Sequence, residues 1–188
     1  MEKVLIFVDL LARRRKMKKL AHLLLAICLV GCGTIGEELP SYEESSIITV
    51  GDYAPNFSAT ALNGDHFELS ALQGEVVLLV LFSHTCPDCK ALFDDIMNHK
   101  ATIDSMGAKM IAVSRGGEKE EIEEYMQRNG YDFEAIADSE AHIFGLYATT
   151  YVPRTYLINR QGVVEYASIE YDAAHLPHII ERIGALTE

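Results

Sequence analysis

Residues 76–82 read V-V-L-L-V-L-F, an unbroken apolar run of strand length, and the chain reaches C-P-D-C at 86–89 only four residues later. A strand with no polar alternation needs cover on both faces, so this one is expected at the centre of a sheet with helices packed against it. Beyond it, Leu92, Ile96 and Ile103 recur at near-helical spacing up to Gly107, and Met110–Val113 forms a second short apolar strand. Ile122, Tyr125 and Met126 then mark the buried stripe of another helix, which should stop at Asn129-Gly130. Strand–helix–strand–helix order predicts parallel pairing through right-handed crossovers. The C-terminal part changes character: Thr155–Ile158 and Val163–Tyr166 flank Asn159-Arg160-Gln161-Gly162 and predict an antiparallel hairpin. A last helix places Leu176, Ile179, Ile180 and Ile183 on one face, with Pro177 tolerable in its first turn. Ahead of the central strand, Phe57–Leu69 folds back at Asn63-Gly64-Asp65 as a smaller hairpin. The fold class is α/β: a central mixed β-sheet flanked by helices, with an N-terminal β-hairpin extension.

The N-terminal part reads as addressing. Residues 17–32, M-K-K-L-A-H-L-L-L-A-I-C-L-V-G-C, combine a basic start, an apolar run from Leu20 to Val30 and small Gly31 before Cys32. This is the pattern of a secretory signal, and the run is about half of the ~20 residues that a bilayer-spanning helix needs. L-V-G-C resembles the lipobox of bacterial lipoproteins, which implies lipidation at Cys32. Residues 1–16 fit no export signal, and Met17 is the better translation start. The expected organisation is a signal segment over 1–31, a lipidated cysteine and tether over 32–48, and one domain over 49–188. The protein is thus expected in the cell envelope, lipid-anchored and facing an extracytoplasmic compartment. Of the 16 Lys and Arg, 7 lie within the first 19 positions, so the chain from residue 32 onward is far more acidic than the overall net charge of −12. Such a surface repels phosphate backbones, which excludes nucleic acid as a partner.

Four cysteines are present, and processing would leave Cys86 and Cys89 for chemistry. Cys86 is expected at a helix N-terminus, where unpaired backbone N–H groups and the helix dipole favour a thiolate. Pro87 suits the first helical position. Cys89, one turn further in, can resolve a mixed disulfide. Asp88 places an opposing negative charge beside the pair. The residues leave other readings open. Half of a zinc or copper site is one, but no second ligand pair occurs at a recognisable spacing, and His84 and His99 are the nearest candidates. A structural disulfide would close too short a loop to add much stability. Covalent haem is disfavoured because Lys90, not histidine, follows the second cysteine. No metal is expected, and no cofactor beyond a redox-active Cys86–Cys89 disulfide. Ser114-Arg115-Gly116-Gly117 could cradle a phosphate, but the acidic run from Glu118 follows at once.

The segments G-D-Y-A-P-N-F (51–57), F-E-L-S-A-L-Q-G (67–74), the strand leading into C-P-D-C and Y-V-P-R-T-Y-L-I-N (151–159) together resemble the thioredoxin-like family of TlpA and ResA type. These are extracytoplasmic thiol–disulfide oxidoreductases related to the AhpC/TSA redoxins, and the resemblance spans about Thr49 to Leu186. It implies a thioredoxin-like fold and a protein-disulfide reductase acting through Cys86 and Cys89. It further implies that Pro153 is a cis-proline facing the cysteines and that Val152 offers backbone groups to a substrate chain. Protein disulfides are the implied substrates, with a membrane electron donor of DsbD/CcdA type. This chain departs from the pattern in three places. Thr85 stands where thioredoxin has tryptophan, Val80 where it has a buried acid, and Leu92 where the cytochrome-maturation members carry an acid. His84 is a candidate to stabilise the thiolate or move its proton, Asp88 is a rim residue, and Tyr147 and Tyr151 either line the groove or belong to the core. The rival readings are a peroxiredoxin-like thiol peroxidase, for which Ser83 fits the expected motif and Leu79 does not, a thiol oxidase of DsbA type, a metal-binding redoxin and a non-enzymatic binding module.

Overall fold

The computed structural model describes residues 39–188, so the signal segment, Cys28 and Cys32 lie outside the described residues. A short helix α1 (Tyr42–Ser45) leads to the strands β1 (Ser58–Thr60) and β2 (His66–Glu68), which pair antiparallel as the small hairpin. There follow β3 (Val77–Phe82), α2 (Pro87–Ser105), β4 (Lys109–Arg115), α3 (Lys119–Asn129), β5 (Glu134–Asp138), α4 (Phe144–Tyr147), β6 (Arg154–Ile158), β7 (Val164–Ile169) and α5 (His175–Thr187). Five strands form one sheet in the order β5-β4-β3-β6-β7. β3 is central, parallel to β4 and antiparallel to β6, which makes the sheet mixed as the sequence implied.

Every residue of β3 is buried, and its alternation divides two apolar layers. Leu78, Val80 and Phe82 pack with Cys89, Phe93, Ile96, Ile122 and Ile179 under the long helices. Val77, Leu79 and Leu81 meet Phe57, Phe67, Phe144, Tyr147 and Tyr156 on the other face. Each such fully buried side chain contributes about 1.5–3 kcal/mol, so two-sided cover is what makes this strand the anchor of the fold. α3 ends at Gly130, whose φ of +72° is the left-handed cap that glycine tolerates without cost.

Two features differ from the sequence reading. β5 has no strand signature in the sequence, because Glu134–Asp138 is short and begins with an acid; its parallel pairing with β4, rather than its own pattern, makes it a strand. The domain also begins earlier than residue 49. Pro40–Ile48 packs onto the body: Ile47 and Ile48 donate N–H bonds to the Tyr147 carbonyl at 3.0 and 3.1 Å, Ser46 bridges Ala148, and Ser45 is buried. The signals there are polar, since the anchoring groups are serine hydroxyls and backbone, so hydrophobic periodicity did not reveal them.

Candidate active site

The chain leaves β3 at Phe82 and reaches α2 within four residues, with Cys86 as the N-cap in extended conformation. Pro87 occupies the first helical position, where its missing N–H leaves no partner unmatched. Cys86 Sγ accepts a hydrogen bond from the Cys89 backbone N–H at 3.3 Å, so a sulfur that takes on negative charge has a donor already aimed at it. Cys86 is partly exposed, whereas Cys89 is fully buried among Phe82, Phe93 and Ile122. Both are free thiols in this structure. The Ser83 N–H donates to Cys89 Sγ at 3.5 Å. Burial pushes the Cys89 thiol well above the ordinary thiol range, and its hydrogen bond with Cys86 and the negative charges at Cys86 and Asp88 push it the same way. The pair is therefore asymmetric: one sulfur is reachable, and the other stays protonated until something draws its proton away.

Sheet register brings the second half of the site into place. β6 runs antiparallel to β3 with Leu81 opposite Arg154, so the chain just before β6 lies beside the chain just after β3. Pro153 and Val152 thereby sit next to the cysteines, the Val152–Pro153 peptide bond is cis, and the Val152 carbonyl oxygen is 3.7 Å from Cys86 Sγ. The parallel register on the other side sets Phe82 against Ser114 and brings the Gly116-Gly117 turn alongside His84. A Cβ on Gly117 would lie 2.9 Å from His84 Nδ1 and 2.8 Å from Ile122 Cδ1, so this glycine is required by contact and by its φ of +86°. The turn that sequence alone offers as a phosphate cradle is thus packed against a histidine ring at Gly117.

His84 is turned toward Gly117 and the edge of Tyr125, ring centroids 6.4 Å apart, and its buried Nδ1 has no hydrogen-bond partner among the described residues. No hydrogen bond joins it to either sulfur among those residues. Asp88 is exposed on the first turn of α2, and Lys90 is engaged by Asp94 at 2.7 Å. Tyr147 is core: it is fully buried and donates its hydroxyl to the Pro55 carbonyl at 2.8 Å. Tyr151 is half-buried beside Val152. Among the described residues no group of three or more His, Cys, Asp or Glu side chains is gathered as for a metal ion. Sequence reasoning missed three contributors: the Ser83 N–H, which acts through backbone, Gly117, and buried Arg154.

A partly exposed cysteine at a helix N-terminus, a buried one a turn behind it and the Val152–Pro153 loop of the antiparallel neighbour strand, set on a five-stranded mixed sheet, define a thioredoxin-fold dithiol protein of the TlpA/ResA type. Residues 50–167 match the AhpC/TSA family, and the chain belongs to that family. It is similar to thiol-disulfide oxidoreductase ResA of Bacillus subtilis (strain 168), with 32% identity over 152 residues covering 81% of this chain and 83% of that protein. The solution structure of a proposed protein disulfide isomerase from Bacteroides thetaiotaomicron superposes with a TM-score of 0.70 at 25% identity, covering 76% of this chain and 92% of that one. A proposed thiol:disulfide interchange protein DsbE from Chlorobium tepidum shares the fold with a TM-score of 0.69 at 23% identity, covering 75% and 99%. The chain is accordingly a thiol–disulfide oxidoreductase.

Proposed function

We propose that the protein is an extracytoplasmic, lipid-anchored reductase of protein disulfides whose working group is the Cys86–Cys89 dithiol. The carrying observation is the asymmetry of the two sulfurs, one partly exposed at a helix N-cap and one fully buried behind it. Cys86 thiolate attacks one sulfur of the target disulfide, and the other target sulfur leaves and takes up a proton. The mixed disulfide forms beside Val152, whose backbone groups can pair with the target chain, and Pro153. Cys89 then loses its proton and attacks Cys86 Sγ, which releases the second target thiol and leaves a Cys86–Cys89 disulfide. Two electrons have passed to the target. No cofactor enters, so a membrane donor of DsbD/CcdA type must return the pair to the dithiol. Asp88 lies beside the pair and disfavours its thiolate, His84 flanks it from the loop before Cys86, and Cys32 carries the lipid.

The reduction potential of the pair tests the direction. Equilibration with dithiothreitol or glutathione buffers, followed by thiol trapping, is expected to give a value near the roughly −270 mV of thioredoxin; one near the roughly −120 mV of DsbA reverses the assignment to an oxidase. Cys89→Ser should accumulate a mixed disulfide with target proteins and Cys86→Ser should not; turnover of hydrogen peroxide by Cys89→Ser would favour the peroxidase reading instead. Cys32→Ser should move the protein from the membrane to the soluble fraction of lysed cells, and an unchanged distribution contradicts lipid attachment.

A further inference from the structure

Arg154 follows the cis-proline directly, and its side chain is only 1% exposed. It has no carboxylate partner among the described residues. Its donors go instead to neutral oxygens: Nε to the Thr150 carbonyl at 2.9 Å, Nη1 to Ser46 Oγ at 2.9 Å, and Nη2 to the Ser45 carbonyl and Oγ at 3.1 and 2.7 Å. Three of these four acceptors belong to the segment beginning at Pro40, so a buried guanidinium in this fold depends on that segment for its solvation.

The same segment holds the loop from its other end. Tyr151 is a non-glycine residue at φ +64°, a conformation that L side chains rarely adopt and that neighbouring contacts must enforce. Its hydroxyl donates to the Pro40 carbonyl at 2.8 Å, and its ring meets Tyr42 edge-on with centroids 5.4 Å apart. Tyr42 in turn donates its hydroxyl to Glu170, at the end of β7. Val152 lies between these two latches, and it is the residue whose carbonyl faces Cys86. Tyr42 remains 46% exposed, so the latch also presents an aromatic face to solvent, joined through Tyr151 to the chain that carries Val152.

We propose that Pro40–Ser46 is part of the target-recognition surface: through Arg154 and Tyr151 it fixes the Val152 backbone, and with Tyr42 and Tyr151 it forms an aromatic rim. The occupant it fits is an extended polypeptide with an apolar or aromatic residue next to its reacting cysteine. That occupant follows from continuity with the cysteine site, and the proposal rests on the disulfide-reductase reading given above. A small disulfide needs only the Cys86 sulfur, whereas a polypeptide that pairs with the Val152 backbone also extends toward Tyr151, the residue before it. Tyr42 and Arg154 therefore act on recognition and positioning, not on the sulfur chemistry.

The test compares insulin, as a polypeptide disulfide, with dithiobis(nitrobenzoic acid), as a small one, using the full-length protein. Tyr42→Ala is expected to lower kcat/KM for insulin by about three- to tenfold, mainly through KM, with the small-disulfide rate and the Cys86–Cys89 potential unchanged. Because Tyr42 is exposed, this variant should fold. Equal loss for both substrates, or none for insulin, overturns the recognition role while leaving the reductase reading intact. A wild-type protein that reduces neither disulfide refutes the reductase reading and the recognition role with it.

Discussion

Raising the pH on the reduced protein exposes the cost of keeping a thiol in the core. Cys89 is fully buried, and burial raises its folded-state pKa above that of the unfolded chain. Unfolded cysteine titrates near 8.5, so above that pH the unfolded state sheds a proton that the folded state retains. The unfolded state then binds fewer protons, and stability falls as pH rises. The contribution is fully present below the unfolded pKa and declines by about 1.4 kcal/mol per pH unit above it, reaching about 2 kcal/mol at pH 10. For a domain of this size that is a fall in Tm of roughly 4–8 °C. Urea unfolding of the reduced protein between pH 7 and pH 10 should be compared with Cys89→Ser, which has no thiol to ionise at that position. Burial also raises the Tyr147 and Tyr131 phenols, but both proteins share them, and they cancel in the difference. The wild type should lose about 2 kcal/mol more than the variant over this range. Parallel pH profiles would refute the reasoning, since they would mean that Cys89 ionises in place or is not sequestered.

Three further substitutions probe the scaffold. Gly117→Ala must place a Cβ against His84 and Ile122 at positive φ, so it should cost about 1–3 kcal/mol and alter the His84 proton resonances seen by NMR; a neutral variant would mean that the turn relaxes freely. Asp138→Ala removes the buried carboxylate that accepts the N–H groups of His142 and Phe144, each at 2.8 Å, and should cost about 2–3 kcal/mol in urea unfolding. Phe93→Ala empties a fully buried ring site beneath Cys89, in edge contact with Phe82 at 4.8 Å, and should cost about 3–5 kcal/mol by the same measurement.

The parts of the fold that hydrophobic burial dictates were legible in the chain. The run 76–82 is unbroken because both faces of β3 are covered, and Leu176, Ile179 and Ile183 share a face because α5 buries them. C-P-D-C was legible for a similar reason, since a strand-to-helix junction is marked by proline at the first helical turn. What escaped depends on pairing at a distance. β5 is a strand through its register with β4, and no local pattern announces it. Ser45 and Ser46 look like tether residues until Arg154 is found more than a hundred positions away with its donors turned toward them. Tyr151 needed the structure as well, because only the backbone angle reveals how firmly its loop is held.

Charge around the dithiol gives the proposed direction its physical basis. An oxidising pair such as that of DsbA draws its potential from stabilisation of the reduced form. Here the helix N-terminus supplies one such contribution at Cys86, but the charged side chains nearest in sequence oppose or forgo it. Asp88 adds negative charge in the first turn, and the Lys90 ammonium is already committed to Asp94. The buried sulfur contributes nothing as an anion, because burial holds it protonated. With its reduced form so little favoured, the pair should give up electrons readily. Asp88→Asn removes the opposing charge while keeping the side chain's shape, so the potential of the variant should rise, on the order of 10 mV, toward oxidising values. An unchanged or lower potential would mean that solvent screens Asp88 completely, and the reducing character would then have to reside in the burial of Cys89 alone.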